Sequence, residues 1–174
     1  MRLFFALILT FGMGAAYAQK VGYVDSEYIL KNIPEYKDAQ KQLDDISNEW
    51  QQQIDKKYQE IDRLKQEYKV EEILLTSEMK EKRLATIRLK EKEVREFQKK
   101  KFGIDGELFT QRQKLIQPIQ EKIYKAMKDV ARSSGYIILF DKAGSTTLIY
   151  TNPKYNKSDA VLKKLGYEPG KEKK

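Results

Sequence analysis

From Glu35 to Phe102 the chain runs 68 residues without a glycine or proline, dense in charge and thinly striped with apolar side chains. With no backbone breaker to stop it, such a stretch folds as long helix. A helix this polar cannot build a thick globular core, so the chain is read as an arm projecting from a small body. Along the first part the apolar positions are Leu43, Ile46, Trp50, Ile54, Tyr58, Ile61, Leu64 and Tyr68. Their steps of three and four average close to the α-helical repeat, and the stripe is only one or two side chains wide. That is the seam of a coiled coil rather than the broad face of a globular helix.

The next apolar set is Leu84, Ile87, Val94 and Phe97. If the chain folds back around Leu74, facing residues in an antiparallel hairpin have numbers that sum to about 148. Leu64 then meets Leu84, Ile61 meets Ile87, Ile54 meets Val94, and Trp50 lies beside Phe97. Charge agrees with this pairing: Glu35–Glu72 holds 7 basic and 11 acidic residues, whereas Lys80–Lys101 holds 10 basic and 4 acidic. The competing arrangement, one uninterrupted rod on the order of 100 Å long, leaves both seams waiting for other chains. Pattern and charge together favour the hairpin. Thr76-Ser77 offers a helix N-cap, with Glu78 and Glu81 in the first turn beyond it.

Gly103-Ile104-Asp105-Gly106 interrupts the returning helix. Beyond it Leu108, Leu115, Ile119, Ile123, Met127 and Val130 carry the helical pattern to Ser133-Ser134-Gly135, a C-terminal stop. Pro118 lies inside this pattern and predicts a kink there unless a new helix begins. Lys20–Asp25 reads as a short strand, and Ser26–Asn32 as a helical turn ended by Ile33-Pro34. Tyr136–Phe140 and Thr146–Tyr150 read as two strands of a hairpin around Asp141–Ser145. Asn152-Pro153 makes a turn, Ser158 caps a short helix through Leu165, and Gly166 closes it.

At the N-terminus, Phe4–Ala18 is apolar, follows Arg2 and ends in Ala16-Tyr17-Ala18, the small-x-small pattern of signal-peptidase cleavage. A spanning helix needs about 20 apolar residues, more than this run supplies, so cleavage between Ala18 and Gln19 and export are expected. The chain contains no cysteine, which excludes lipid attachment at that site and any disulfide. Three strands of about five residues each make a barely stable sheet. The economical expectation is that several copies pool them.

The fold class expected is thus α+β, predominantly α: a long antiparallel helical hairpin, or coiled-coil arm, projecting from a small β-rich oligomerisation body. The divisions are residues 1–18 as signal peptide, 19–34 and 107–170 as body with helix roots, 35–106 as arm, and 171–174 as a disordered basic tail.

Histidine is absent as well as cysteine, which removes the commonest general base at neutral pH, the usual nucleophile–base pairs and most zinc chemistry. Asp105-Gly106-Glu107 is too sparse for a twelve-residue calcium loop, and no glycine-rich phosphate loop follows a strand. No enzyme activity, cofactor or metal is expected. The basic run Lys99-Lys100-Lys101 and the returning helix either bind nucleic acid or anionic lipid or simply balance the acidic helix alongside. An exported chain rarely meets nucleic acid, whereas contact with anionic lipid or lipopolysaccharide fits its net charge of +8. Val70, Ile73, Leu74, Leu75 and Met79 cluster at the inferred arm tip. They either close the hairpin end or offer an adaptable apolar contact for unfolded chain, with Met79 the soft component.

KVGYVDSEYIL followed by IPEYK, the charged hairpin, QPIQEKIY, and GYIILFDKAGSTTLIYTNPKYNKSDAVLKKLG together resemble the OmpH/Skp family of periplasmic chaperones over essentially the whole mature chain. Val21–Ile33 and Gly135–Gly166 are the most specific pieces. QPIQ and FGIDGELF look like variants of Bacteroidetes-type members. The resemblance implies a homotrimer with a β-rich body and three hairpin arms around a cavity. It implies an ATP-independent holdase that keeps unfolded outer-membrane proteins soluble in the periplasm. A structural coiled-coil spacer and a lipid-binding envelope protein are the alternatives.

Overall fold

The computed structural model describes residues 20–144 and 148–170. The expected signal segment with its Ala18–Gln19 cleavage site, and the tail from Lys171, lie outside these residues. Strand β1 (Lys20–Val24) leads through α1 (Ser26–Lys31) into the long helix α2 (Pro34–Glu71). A single 3-10 turn (Glu72–Leu74) separates α2 from α3 (Ser77–Phe102); α4 (Glu107–Ser134), β2 (Tyr136–Asp141), a second 3-10 turn (Pro153–Tyr155) and α5 (Ser158–Leu165) follow. The chain divides into two compact units, one of residues 33–123 and the other of residues 20–32 with 124–170. The helix break at Gly106/Glu107, where the sequence divided arm from body, falls inside the first unit, which extends along α4 through Ile123.

In the first unit the uninterrupted run of residues becomes an antiparallel hairpin. Proline at the first helical position starts α2 behind an extended Ile33, since its fixed φ suits a helix and its missing N–H is not needed there. Ile54, Ile61, Ile87 and Val94 are buried as one cluster, with Leu64, Tyr68 and Phe97 packed against it. Burying each of these four side chains contributes roughly 1.5–3 kcal/mol. Ala39 and Leu43 on α2, and Ile116 and Ile119 on α4, are buried in the same unit. The Thr76 hydroxyl accepts the Met79 N–H at 3.3 Å and caps α3 as its sequence indicates.

Two details of the seam depart from the sequence register. Trp50 packs edge-on against Phe102, ring centroids 6.0 Å apart, while Phe97 sits against the isoleucine cluster and under the Lys57 ammonium. Glu60 pairs with Lys90 and Tyr58 with Gln98, so side-chain contacts fall a few residues further along α3 than a reversal about Leu74 gives. Helical side chains lean toward their own N-terminus, which offsets antiparallel contacts in this direction. Leu84 lies outside the cluster and is more than one-third exposed.

Pro118 neither ends nor restarts a helix: α4 runs unbroken from Glu107 to Ser134. The proline removes one backbone hydrogen bond, that to the Lys114 carbonyl. Buried Ile116, Ile119 and Ile123 flank it, and their packing outweighs that loss.

In the second unit the predicted β-hairpin is replaced by a different pairing. Among the described residues the sheet has two strands, and β2 pairs in parallel with β1, from Lys20 opposite Tyr136 to Val24 opposite Asp141. Leu148–Tyr150, the described part of the expected second hairpin strand, is not strand. A parallel pair needs a crossover connection, and here the crossover is the entire helical arm. Gly22 is required by close approach: a Cβ there would lie 2.9 Å from the Tyr136 ring. Ile29, Val161 and Leu162 are fully buried, joining α1 to α5.

Ser158 does not cap α5. Its hydroxyl, fully buried, accepts the Asp25 N–H at 2.8 Å, and the Asn156 side chain takes the Ser158 N–H instead. Asp141 accepts both the N–H and the hydroxyl of Ser26. These bonds tie β1, β2, α1 and α5 with every described buried side-chain polar atom satisfied. Gly166 ends α5 at φ 90°, the left-handed conformation glycine adopts without strain.

Because the hairpin seam is a single row, its side chains cannot be truncated cheaply. Ile61→Ala should lower hairpin stability by about 2–4 kcal/mol, read from helical circular dichroism during denaturation. Leu89→Ala, on an exposed face of α3, should stay within about 0.5 kcal/mol.

Candidate functional site

The residues singled out at the arm tip are brought together by the hairpin reversal. Val70 ends the exposed face of α2, Ile73 and Leu74 occupy the 3-10 turn, Leu75 follows it, and Met79 lies in the first turn of α3. Val70 is 79% exposed, Ile73 92%, Leu74 84% and Met79 49%, with Leu75 half-buried. These side chains therefore do not close the hairpin end. They form an apolar cap on its outside, against the usual rule that contiguous exposed apolar surface is kept small. Ile73 and Leu74 lie in the three-residue 3-10 turn, none of whose side chains is buried.

Charge around the tip is balanced: Lys69, Lys80, Lys82 and Arg83 stand with Glu71, Glu72, Glu78 and Glu81. Arg83 bonds Glu71 across the hairpin at 3.1 Å, and Lys82 bonds Glu78 at 2.8 Å. The tip thus offers apolar contact without a net field. Further along, Lys65 and Glu91 bridge the helices at 2.6 Å. Their hydrogen bond holds the Glu91 carboxyl below the ordinary glutamate range and raises Lys65. Burial of its hydroxyl, followed by the charge of Glu72, raises Tyr68.

Of the expected seam residues Trp50, Ile54, Ile61, Leu64, Leu84, Ile87, Val94 and Phe97, the four isoleucine and valine side chains are buried, Trp50, Leu64 and Phe97 are partly buried, and Leu84 is exposed. Two features escaped the sequence reading. One is an apolar face of the small sheet, where Val21, Ile138 and Phe140 are exposed beside a hollow of about 240 Å³ lined by Tyr150 and Tyr155, with Ile137 exposed on the opposite side. The unbroken run Ile137–Phe140 carried the signal, but not which side would be open. The other is Lys101, whose ammonium lies 4.5 Å from the Trp50 ring centroid and pairs with Glu107. Lys101 bonding, before the charge of Lys100, holds Glu107 below the ordinary carboxylate range.

Among the described residues no cluster of histidine, cysteine, aspartate or glutamate could hold a metal ion, and no helix is long and apolar enough to cross a membrane. The described residues line open grooves, such as one of about 450 Å³ beside Gly106. Such open surfaces can be presented to a large partner.

A charged helical hairpin inserted as the crossover of a small parallel sheet defines a coiled-coil-armed α+β protein. The chain belongs to the OmpH-like outer membrane protein family, whose sequence profile matches residues 20–165. A crystal structure of a candidate outer membrane chaperone (OmpH-like) from Caulobacter crescentus has the same fold, with a TM-score of 0.68 at 16% identity over 88% of each chain. No curated protein matches the chain.

The Glu91 shift gives a pH signature. A carboxylate held low in the folded state contributes stability that is complete above the ordinary glutamate range and is lost as pH falls through the lowered value. Acidification from neutral pH should therefore lower the thermal midpoint of the hairpin, and Glu91→Gln should fall by less than the parent. Circular dichroism melts at stepped pH check this.

Proposed function

We propose that the chain is an ATP-independent holdase of the periplasm that binds unfolded outer-membrane proteins between helical arms and prevents their aggregation before membrane insertion. The observation that carries this reading is the exposed apolar cap Val70–Ile73–Leu74–Met79 at the end of a charged, self-sufficient hairpin. An unfolded barrel protein exposes alternating apolar strands that aggregate on meeting another edge. Side chains such as Leu74 and Met79 adapt to many apolar sequences, and several weak contacts on several arms sum to tight binding. Release needs no nucleotide, since the client leaves for a lower free energy in the membrane.

Assembly follows from the small sheet. Its exposed Val21, Ile137, Ile138 and Phe140 need covering, and two strands alone are marginal. A homotrimer that pools these faces supplies the cover and sets several arms around one space. Family membership and the name of the Caulobacter structure, an OmpH-like outer membrane chaperone, support the chaperone role. Export fits the Ala16-Tyr17-Ala18 pattern, and no nucleic acid or catalysis enters the scheme. Anionic lipid or lipopolysaccharide is a secondary partner for the basic assembly, but the charge balance at the tip favours protein contact there.

The test is light scattering of a urea-denatured outer-membrane protein diluted into buffer without ATP. The mature chain should suppress aggregation at one trimer per client or a multiple of it. Ile73→Asp/Leu74→Asp should reduce that suppression severalfold while leaving the melting temperature unchanged, because both side chains are already solvated. Aggregation that proceeds unchanged at excess protein rules the reading out. Binding to anionic vesicles that salt abolishes, without suppression, supports the lipid-binding alternative.

A further inference from the structure

Between α3 and α4 the chain turns through Gly103–Gly106, and this joint is sterically filled. A Cβ on Gly103 would lie 2.3 Å from the Lys99 carbonyl oxygen, and one on buried Gly106 would lie 2.9–3.0 Å from three carbonyl oxygens. Asp105 sits at φ 58°, a left-handed conformation that aspartate tolerates better than most residues. Gly106 offers its carbonyl to the N–H and hydroxyl of Thr110, fixing the start of α4. The glycines here are therefore a means of close packing rather than slack.

One side chain spans this joint. Lys101, in the last turn of α3, has only 16% of its side chain exposed. Its ammonium lies 4.5 Å from the Trp50 ring centroid on α2 and 5.5 Å from Phe97, and it pairs with Glu107, the first residue of α4. Lys100 approaches the same carboxylate at 3.5 Å. Lysine at a helix C-terminus and glutamate at the next N-terminus are each favoured by the helix dipole. α2 is continuous past Trp50, so the Lys101 contacts join α2, the end of α3 and the start of α4 at one point. Lysine is a strongly hydrated charge on a flexible stem, and withdrawing it to water exchanges these contacts for hydration.

We propose that Lys101 is the latch of a two-position joint. With its ammonium seated on Trp50 and Glu107, α3 and α4 act as one stiff return limb. With it withdrawn, α4 separates at Gly103–Gly106 and the outer hairpin moves independently of it. The proposal does not depend on what the tip binds. It gives α4 a defined place to part from the continuous α2, about one helical turn from Ile54 at the near end of the isoleucine seam.

Trp50 is the only tryptophan, so its quenching by acrylamide reports this joint in the full mature chain. Glu107→Gln leaves the groups touching Trp50 intact, Lys101→Met keeps the stem but removes the charge, and Lys101→Arg keeps charge and stacking. Glu107→Gln and Lys101→Met should each raise Trp50 quenching and speed amide exchange over Gly103–Thr110 by about tenfold. Lys101→Arg should remain near the parent, and exchange at Ile54 and Ile61 should not change in any of the three. Unchanged quenching and exchange in Glu107→Gln overturns the proposal. So does exchange that rises equally along the whole hairpin, which would make the cluster an ordinary contributor to stability.

Discussion

The row formed by Ile54, Ile61, Ile87 and Val94 holds two long polar helices together, and the rest of the molecule depends on it. Neither α2 nor α3 has a second apolar face, so without the row each would be a solvated helix with nothing to order it. Ion pairs such as Glu60–Lys90 and Glu71–Arg83 are solvent-exposed and set register more than they supply stability. A seam one side chain wide also leaves most of the hairpin surface free, and it carries the apolar tip away from any core that could absorb it.

The helical half of the fold was legible because a 3.6-residue repeat survives over many turns. Pro34, Thr76, Gly103 and Gly166 each mark an end where local chemistry decides the backbone. The small unit was not legible in the same way. Tyr136–Phe140 reads as a strand, but five residues do not say which partner they take. The nearest apolar run lies just beyond Gly144, whereas the actual partner begins at Lys20, more than a hundred residues earlier. Ser158 shows the same limit: a serine before a helix looks like a cap until a buried N–H from Asp25 claims its hydroxyl.

The site divided along a similar line. The sequence placed Val70, Ile73, Leu74, Leu75 and Met79 together at the reversal, since hairpin geometry requires it. Periodicity did not say whether they turned inward or outward, since Ile73 and Leu74 fall in a 3-10 turn outside either helical repeat. Trp50 was assigned to the seam, yet its ring partner is Phe102 and its closest cation Lys101. A shift of a few residues along α3, caused by the lean of helical side chains, was enough to exchange its neighbours. Periodicity locates a face; it does not resolve which of two successive turns meets a given ring.

The hairpin itself is open to direct measurement. The chain has no native cysteine, so spin labels placed at Lys65→Cys and Glu91→Cys, diluted with unlabelled protein, report one intramolecular distance. Packed antiparallel helices lie about 8–10 Å apart, which with the label arms predicts a separation below about 20 Å. One unbroken helix would place the same two positions roughly 39 Å apart at 1.5 Å per residue, and a distance near that value would contradict the account.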